Sequence, residues 1–149
     1  MSVQQGSCGL IVGGDGNGGG GGYIQTGAAQ LVDDFTTGGA ATVLSVTMTT
    51  AASSRYILTA TLACFSNVAD SVIALRFKID GVTVPATSRA TATGQFIALA
   101  TQFTSDVLIG GAHTFELEAE GFGGTTLLIW PVTFPLFMGA NLLVQEVSV

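Results

Sequence analysis

The chain is poor in charge. Four Lys+Arg and ten Asp+Glu make 9% of 149 residues, where a soluble domain carries about 25%. Four bases are too few for a phosphate-binding footprint, which argues against a nucleic-acid partner. Cysteine is equally scarce. Cys8 and Cys64 permit one disulfide, but no CxxC pair supports a zinc or redox reading, and both are expected to be free thiols. Long apolar runs are missing too. A membrane helix needs about 18 apolar residues, and the longest run here, residues 127–132, is interrupted by Pro131. Leu10-Ile11-Val12 is too short for a signal-peptide core and no base precedes it, so cytosolic synthesis without a membrane anchor is expected. Lys, Glu and Leu-rich helical composition and fixed-period repeats are both lacking, which disfavours bundles, coiled coils and solenoids.

What is present is 48% apolar residues, a mean hydropathy of +0.59, 21 Gly, 19 Thr and 18 Ala. The length fits one domain with a sizeable core, and the chain is too apolar for disorder. Two regions follow. Residues 1–22 read as an extended arm, because eight of the ten positions 13–22 are glycine and carry no packing side chains. Residues 23–149 read as an antiparallel β-sandwich.

The strands announce themselves by period-two alternation and Thr enrichment. Ala41 to Thr50 opens the set. Arg55 to Ser66 puts Tyr56, Leu58, Ala60, Leu62 and Cys64 on one face, and Cys64 reads as a small buried hydrophobe. Ser71 to Ile79 follows a turn, and Asp80-Gly81 is a hairpin signal before Val82-Thr83-Val84, which Pro85 ends or places at an edge. Gln95 to Thr104 alternates again. His113 to Glu120 is the clearest case, with Phe115, Leu117 and Ala119 opposite Glu116, Glu118 and Glu120. Thr125 to Phe134 and Asn141 to Val149 complete eight to ten strands. Such a pattern predicts a jelly roll.

Candidate chemistry is thin. Gly14-Asp15-Gly16-Asn17-Gly18-Gly19 matches GxGxxG, but no helix follows and no Gly-Lys-Ser/Thr exists, so nucleotide binding has no support. Asp15 and Asn17 are too few for a calcium loop. Glu116, Glu118 and Glu120 sit about 7 Å apart along one strand face. They read as a solvated face, with an inter-subunit contact or a hydrolytic carboxylate pair as rarer alternatives. Asp33-Asp34 read as a loop or strand end. His113, the sole histidine, reads as a hydrogen-bonded structural residue, since no nucleophile motif accompanies it. All four bases, Arg55, Arg76, Lys78 and Arg89, fall in one stretch, and Arg76 and Lys78 share a strand face. They pair across a strand or a subunit boundary, or belong to a solvated hairpin. The segment 129–139 holds the only Trp with Pro131 and Pro135, so it is no plain central strand. It fills the core or forms an interface.

The run Gly110-Gly111-Ala112-His113-Thr114-Phe115-Glu116-Leu117 resembles the strand entry of small jelly-roll modules of tailed-phage virion proteins, which are similar to the tumour-necrosis-factor fold. Phe77-Lys78-Ile79-Asp80-Gly81-Val82 resembles their hairpin and Asn141 to Val147 their last strand, so the likeness covers residues 41–149. The glycine arm departs from it. The resemblance implies a homotrimeric capsid decoration, head fibre or tail-tip module.

The expectation is therefore a non-enzymatic virion structural protein, trimeric, docked on a major capsid or other virion protein through its arm. A receptor- or glycan-binding tail-tip module is the alternative, and a hydrolase using the Glu116–Glu120 strand a second one. Candidate interface residues are Gly13, Asp15, Asn17 and Tyr23 at the arm, and Trp130, Phe134, Phe137 and Met138 near the C-terminus. No catalytic, metal or cofactor residue is assigned.

Overall fold

The computed structural model describes residues 23–93, 96–135 and 138–149. The described chain is all β. Its strands are β1 (Tyr23–Gln30), β2 (Phe35–Thr37), β3 (Ala41–Thr50), β4 (Ser54–Ser66), β5 (Ala69–Ile79), β6 (Val82–Thr93), β7 (Phe96–Thr104), β8 (Gly111–Gly121), β9 (Leu127–Ile129) and β10 (Gly139–Ser148). Every pairing is antiparallel.

The pairing is that of a folded double ribbon. β5 pairs β6 and β3 pairs β8 in one sheet, ordered β3-β8-β5-β6. β4 pairs β7 and β1 pairs β10 in the other, where β10 also pairs β4. Eight strands thus match first to last and roll into two facing sheets, which is a jelly roll. β9 and β2 extend the second sheet beside the end of β4.

Alternation explains the layers. Along β4 the pattern places Tyr56, Leu58, Ala60, Leu62 and Cys64 inward, all at 0–1% exposure. Phe115, Leu117 and Ala119 of β8 meet them from the opposite sheet, and the rings of Tyr56 and Phe115 lie 4.7 Å apart. Burial pushes the Cys64 thiol up to about 12, so it is an inert core group. Cys8 lies outside the described residues.

Local chemistry fixes the turns. Asp80 and Gly81 both take positive φ (50° and 79°), as a two-residue primed hairpin requires. Pro85 does not end β6. β6 is the edge of its sheet, and its register against β5 slips between Lys78↔Thr83 and Arg76↔Thr87, so proline occupies a bulge where no ladder donor is missed. Gly121 ends β8 where the chain doubles back. A Cβ there would stand 2.4 Å from the Thr125 methyl. Beneath that corner Ser66 Oγ meets Ser71 Oγ (2.7 Å) and Thr125 Oγ1 (2.5 Å), which satisfies buried hydroxyls mutually.

One expected strand is mostly lost. Thr125 to Phe134 contracts to the three residues of β9, because Pro131 and Pro135 lack the N–H groups a ladder needs. Two strands, β1 and β2, lie in a stretch where no distinct strand is legible from alternation. Their composition (Gly27, Ala28, Ala29; Phe35, Thr36, Thr37) gives little period-two contrast.

Candidate functional site

The first candidate grows from the broken strand. Phe65 and Ser66 of β4 pair with Leu128 and Leu127 of β9, and Ala63 pairs with Gly139 of β10. β9 and β10 therefore continue one edge of β4, and residues 130–135 and Met138 lie off the sheet between them. This excursion winds in turns, with Phe134 N donating to Trp130 O (2.8 Å) and Met138 N to Phe134 O (3.0 Å). Asp34, in the loop before β2, caps it by accepting from Val132 N (2.9 Å), Thr133 N (3.2 Å) and the Thr133 hydroxyl. Desolvation pushes the Asp34 carboxyl up, but the bonds from Thr133 and Val132 hold it below the ordinary value. The expected loop at Asp33-Asp34 is observed, with this anchoring role added.

The excursion carries an aromatic row. Trp130 stacks on Phe134 (6.4 Å, 7° between planes), Phe134 meets Phe96 edge-on (6.2 Å), and Phe96 meets Phe65 (5.6 Å). Trp130 Nε1 donates to Thr36 Oγ1 (2.9 Å), which fixes the indole. Phe96 is 50% exposed and Phe134 39%, whereas Met138 is buried. The segment thus both fills the core and offers surface, residue by residue. Beside it an open cleft of about 210 Å³ is lined by Thr61, Leu62, Ala63, Pro135, Met138, Gly139 and Asn141.

The structure does not gather the candidate interface residues. Tyr23 opens β1 opposite Val147, at the end of the sandwich where β4 begins and β10 finishes. Trp130, Phe134 and Met138 stand at the other end. Gly13, Asp15, Asn17 and Phe137 lie outside the described residues, as does the Tyr23 side chain.

The second candidate is the glutamate row of β8, and the expectation of a solvated face fails there. Arg76 and Lys78 of β5 lie opposite Glu118 and Glu116, and the charges close into a network. Arg76 Nε is 3.3 Å from Glu118 Oε1, Lys78 Nζ pairs with Glu118 Oε2, and Arg76 also pairs with Glu120. Thr42 Oγ1 donates to Glu116 (3.0 Å). Glu118 is only 5% exposed because its neighbours fold over it. Two of the scarce bases, Arg76 and Lys78, pair across a strand within the chain. A glycosidase acid needs an uncompensated, desolvated carboxyl. In this row Glu118 and Glu120 pair with bases and Glu116 accepts from Thr42.

His113 is a latch. Its Nδ1 lies 2.7 Å from Asp80 Oδ2 and its Nε2 2.8 Å from Ile109 O, while Thr114 N donates to Asp80 Oδ1 (2.8 Å). Both ring nitrogens face acceptors, so the doubly protonated ring satisfies both. The Ile109 carbonyl and then Asp80 raise the histidine above 6.5, and His113 in turn lowers Asp80. A raised folded pKa stabilises fully below 6.5 and is lost as pH rises through the folded value. Urea midpoints of the protein are expected to fall between pH 6 and pH 9, and His113→Gln is expected to flatten that slope. An unchanged slope in His113→Gln would remove the latch.

Strand pairing adds two further features. Glu146 lies opposite Tyr56 on the inner face of β10 and is fully buried, and neither carboxylate oxygen meets a hydrogen-bond donor among the described residues. Burial first, and then the Glu146 charge, push the Tyr56 phenol up to about 12. The alternation Ala140, Leu142, Val144, Glu146 was the available signal. The other is the outer face of the sheet β1-β10-β4-β7. Its outward rows include Ala28 and Gln30, Asn141, Leu143 and Gln145, Ile57, Thr59 and Thr61, and Ala98, Ala100 and Gln102. No described side chain in these rows ionises, apart from Arg55 at the start of β4. Among the described residues no group of three His, Cys, Asp or Glu is placed to hold a metal, and no helix is long and apolar enough to cross a membrane.

No protein-family model matches the chain, and no curated protein matches it by sequence. Among solved structures, a chain of infectious bursal disease virus, Gt strain, is 15% identical over 83% of this chain, with a TM-score of 0.44. The match takes up 38% of the viral chain, so this protein spans under two fifths of it. The CBM36-1 domain of a multidomain xylanase from the hindgut metagenome of Trinervitermes trinervoides is 18% identical, covering 96% of this chain and 90% of that one, with a TM-score of 0.37. TmCBM61, solved in complex with β-1,4-galactotriose, is 14% identical, covering 91% and 80%, with a TM-score of 0.36.

Proposed function

We propose that the protein is a non-enzymatic structural subunit of a virion, a homotrimer that associates through the part of the outer face of the β1-β10-β4-β7 sheet around Leu143 and docks on a larger capsid assembly by its N-terminal arm. The observation that carries this reading is the partition of charge. The ion pairs sit on the outer face of the β3-β8-β5-β6 sheet. The opposite outer face carries one described charge, Arg55 at its margin, with Leu143 36% exposed near its middle. A free domain wets its surface with about 25–35% charged residues. A surface so poor in charge fits burial against copies of itself around Leu143, and cyclic closure covers that part while the end at Ala63 and Gly139 stays open. β1 begins and β10 finishes at one end of the sandwich, so docking at that end leaves the opposite end pointing away.

Light scattering after size exclusion is the test. The protein at micromolar concentration is expected at about three chain masses, and Leu143→Glu, which puts an unpaired charge into the interface, at one. A monomeric parent protein overturns the reading.

A further inference from the structure

We propose that the cleft beside the start of β10, between Pro135 and Asn141, is a subsite for one ring of a neutral saccharide. Thr61, Ala63 and Asn141 line it from the strands, with Pro135, Met138 and Gly139 beside them. The volume, about 210 Å³, equals the liquid share of about seven waters. Donor chemistry selects the ligand class. None of the lining residues ionises, so an anion finds no cation here and a cation no carboxylate. A wholly apolar ligand would strip water from Asn141 and Thr61 without replacing its hydrogen bonds. Asn141 Nδ2 donates to Thr61 Oγ1 (3.3 Å), which leaves the amide oxygen, a second amide proton and the threonine hydroxyl proton for a ligand. That mixed set matches groups that both donate and accept, as sugar hydroxyls do, while Ala63, Pro135 and Met138 suit the C–H face of a pyranose.

The surface beyond the cleft suits adjoining rings. Phe65 is the next outward residue of β4 after Ala63, about 7 Å on. From it the row Phe96, Phe134 and Trp130 presents exposed aromatic surface with fixed orientation. Stacking on aromatic faces tolerates many sugars, and the amide–hydroxyl pair sets the orientation of the ring between them.

Gly139 supplies a clean blocking variant. A Cβ built there meets no described atom within 4 Å, so Gly139→Leu is expected to extend into the cleft with the fold kept. The experiment titrates the full chain with cellotriose, maltotriose, xylotriose and N-acetylchitotriose at millimolar concentration, reading backbone amide shifts and the fluorescence of the sole tryptophan. At least one trisaccharide is expected to shift the Thr61, Ala63 and Asn141 amides and to change Trp130 emission. Gly139→Leu and Asn141→Ala are expected to weaken it tenfold or more with unchanged melting temperatures. The proposal is overturned if no trisaccharide moves those amides, if Gly139→Leu binds like the parent, or if a sialylated trisaccharide binds better than its neutral counterpart. The readout is independent of molecular mass, so failure here and failure of the trimer are distinguishable.

Discussion

Phe115→Ala is expected to destabilise the protein by about 3–5 kcal/mol, the range for a buried phenylalanine cut back to alanine. Phe115 sits at mid-height of β8 with no exposed surface. Its ring lies 4.7 Å from Tyr56 of the facing sheet and 6.5 Å from His113, so it joins the two sheets where the latch also sits. Strand backbones on either side hold their positions through the ladders to β3 and β5, and the site cannot collapse to fill the void. Against a typical stability of about 5–15 kcal/mol this is a large fraction. Urea unfolding is expected to show a lower midpoint at unchanged slope. A loss below about 1 kcal/mol would mean that the sheets can close over the gap, contrary to this packing.

Glu118→Ala is the second large effect, about 2 kcal/mol. Breaking a buried ion pair from one side costs about 3–5 kcal/mol, because the remaining charge is left without compensation. Arg76 and Lys78 keep 23% and 25% of their side-chain surface in water, so the penalty is discounted. Arg76 also retains Glu120. The coupling is best measured by a double-mutant cycle with Lys78→Met, expected to return about 1 kcal/mol of interaction between the two sites. Replacing Arg76, Lys78 and Glu118 together by Met, Met and Leu is expected to recover most of the loss, since a well-packed apolar trio needs no counter-charge. If Glu118→Ala unfolds at the parent's midpoint, the network is a surface decoration.

The strands were legible to the extent that one face was wet and the other dry. His113 to Glu120 shows this best, because period two is visible when polarity alternates. β1 shows the converse. Gly27 is small because Val46 Cγ1 would lie 2.6 Å from a Cβ there, a reason that belongs to β3. The excursion was legible as a break, since proline's missing donor is a local property. That the break leaves one edge of β4 and returns to it was not, because β9 and β10 are joined only through their common partner.

The sequence by itself determined the composition of the two outer faces. Alternation fixes which residues share a face, and a one-residue slip would expose every core side chain. It therefore pointed to a β-sandwich with glutamates in one row and Thr, Ala and Gln in another. The tertiary structure alone decided which rows meet. Pairing β5 with β8 brought Arg76 and Lys78 onto Glu118 and turned an apparently wet row into a closed charge network. Pairing β10 with β4 set Glu146 against Tyr56 inside and left a neutral sheet outside. Strand order depends on contacts between residues tens of positions apart, and a short alternating pattern holds no record of its partner. The scarcity of charge thus became, in three dimensions, a charged sheet and a neutral one.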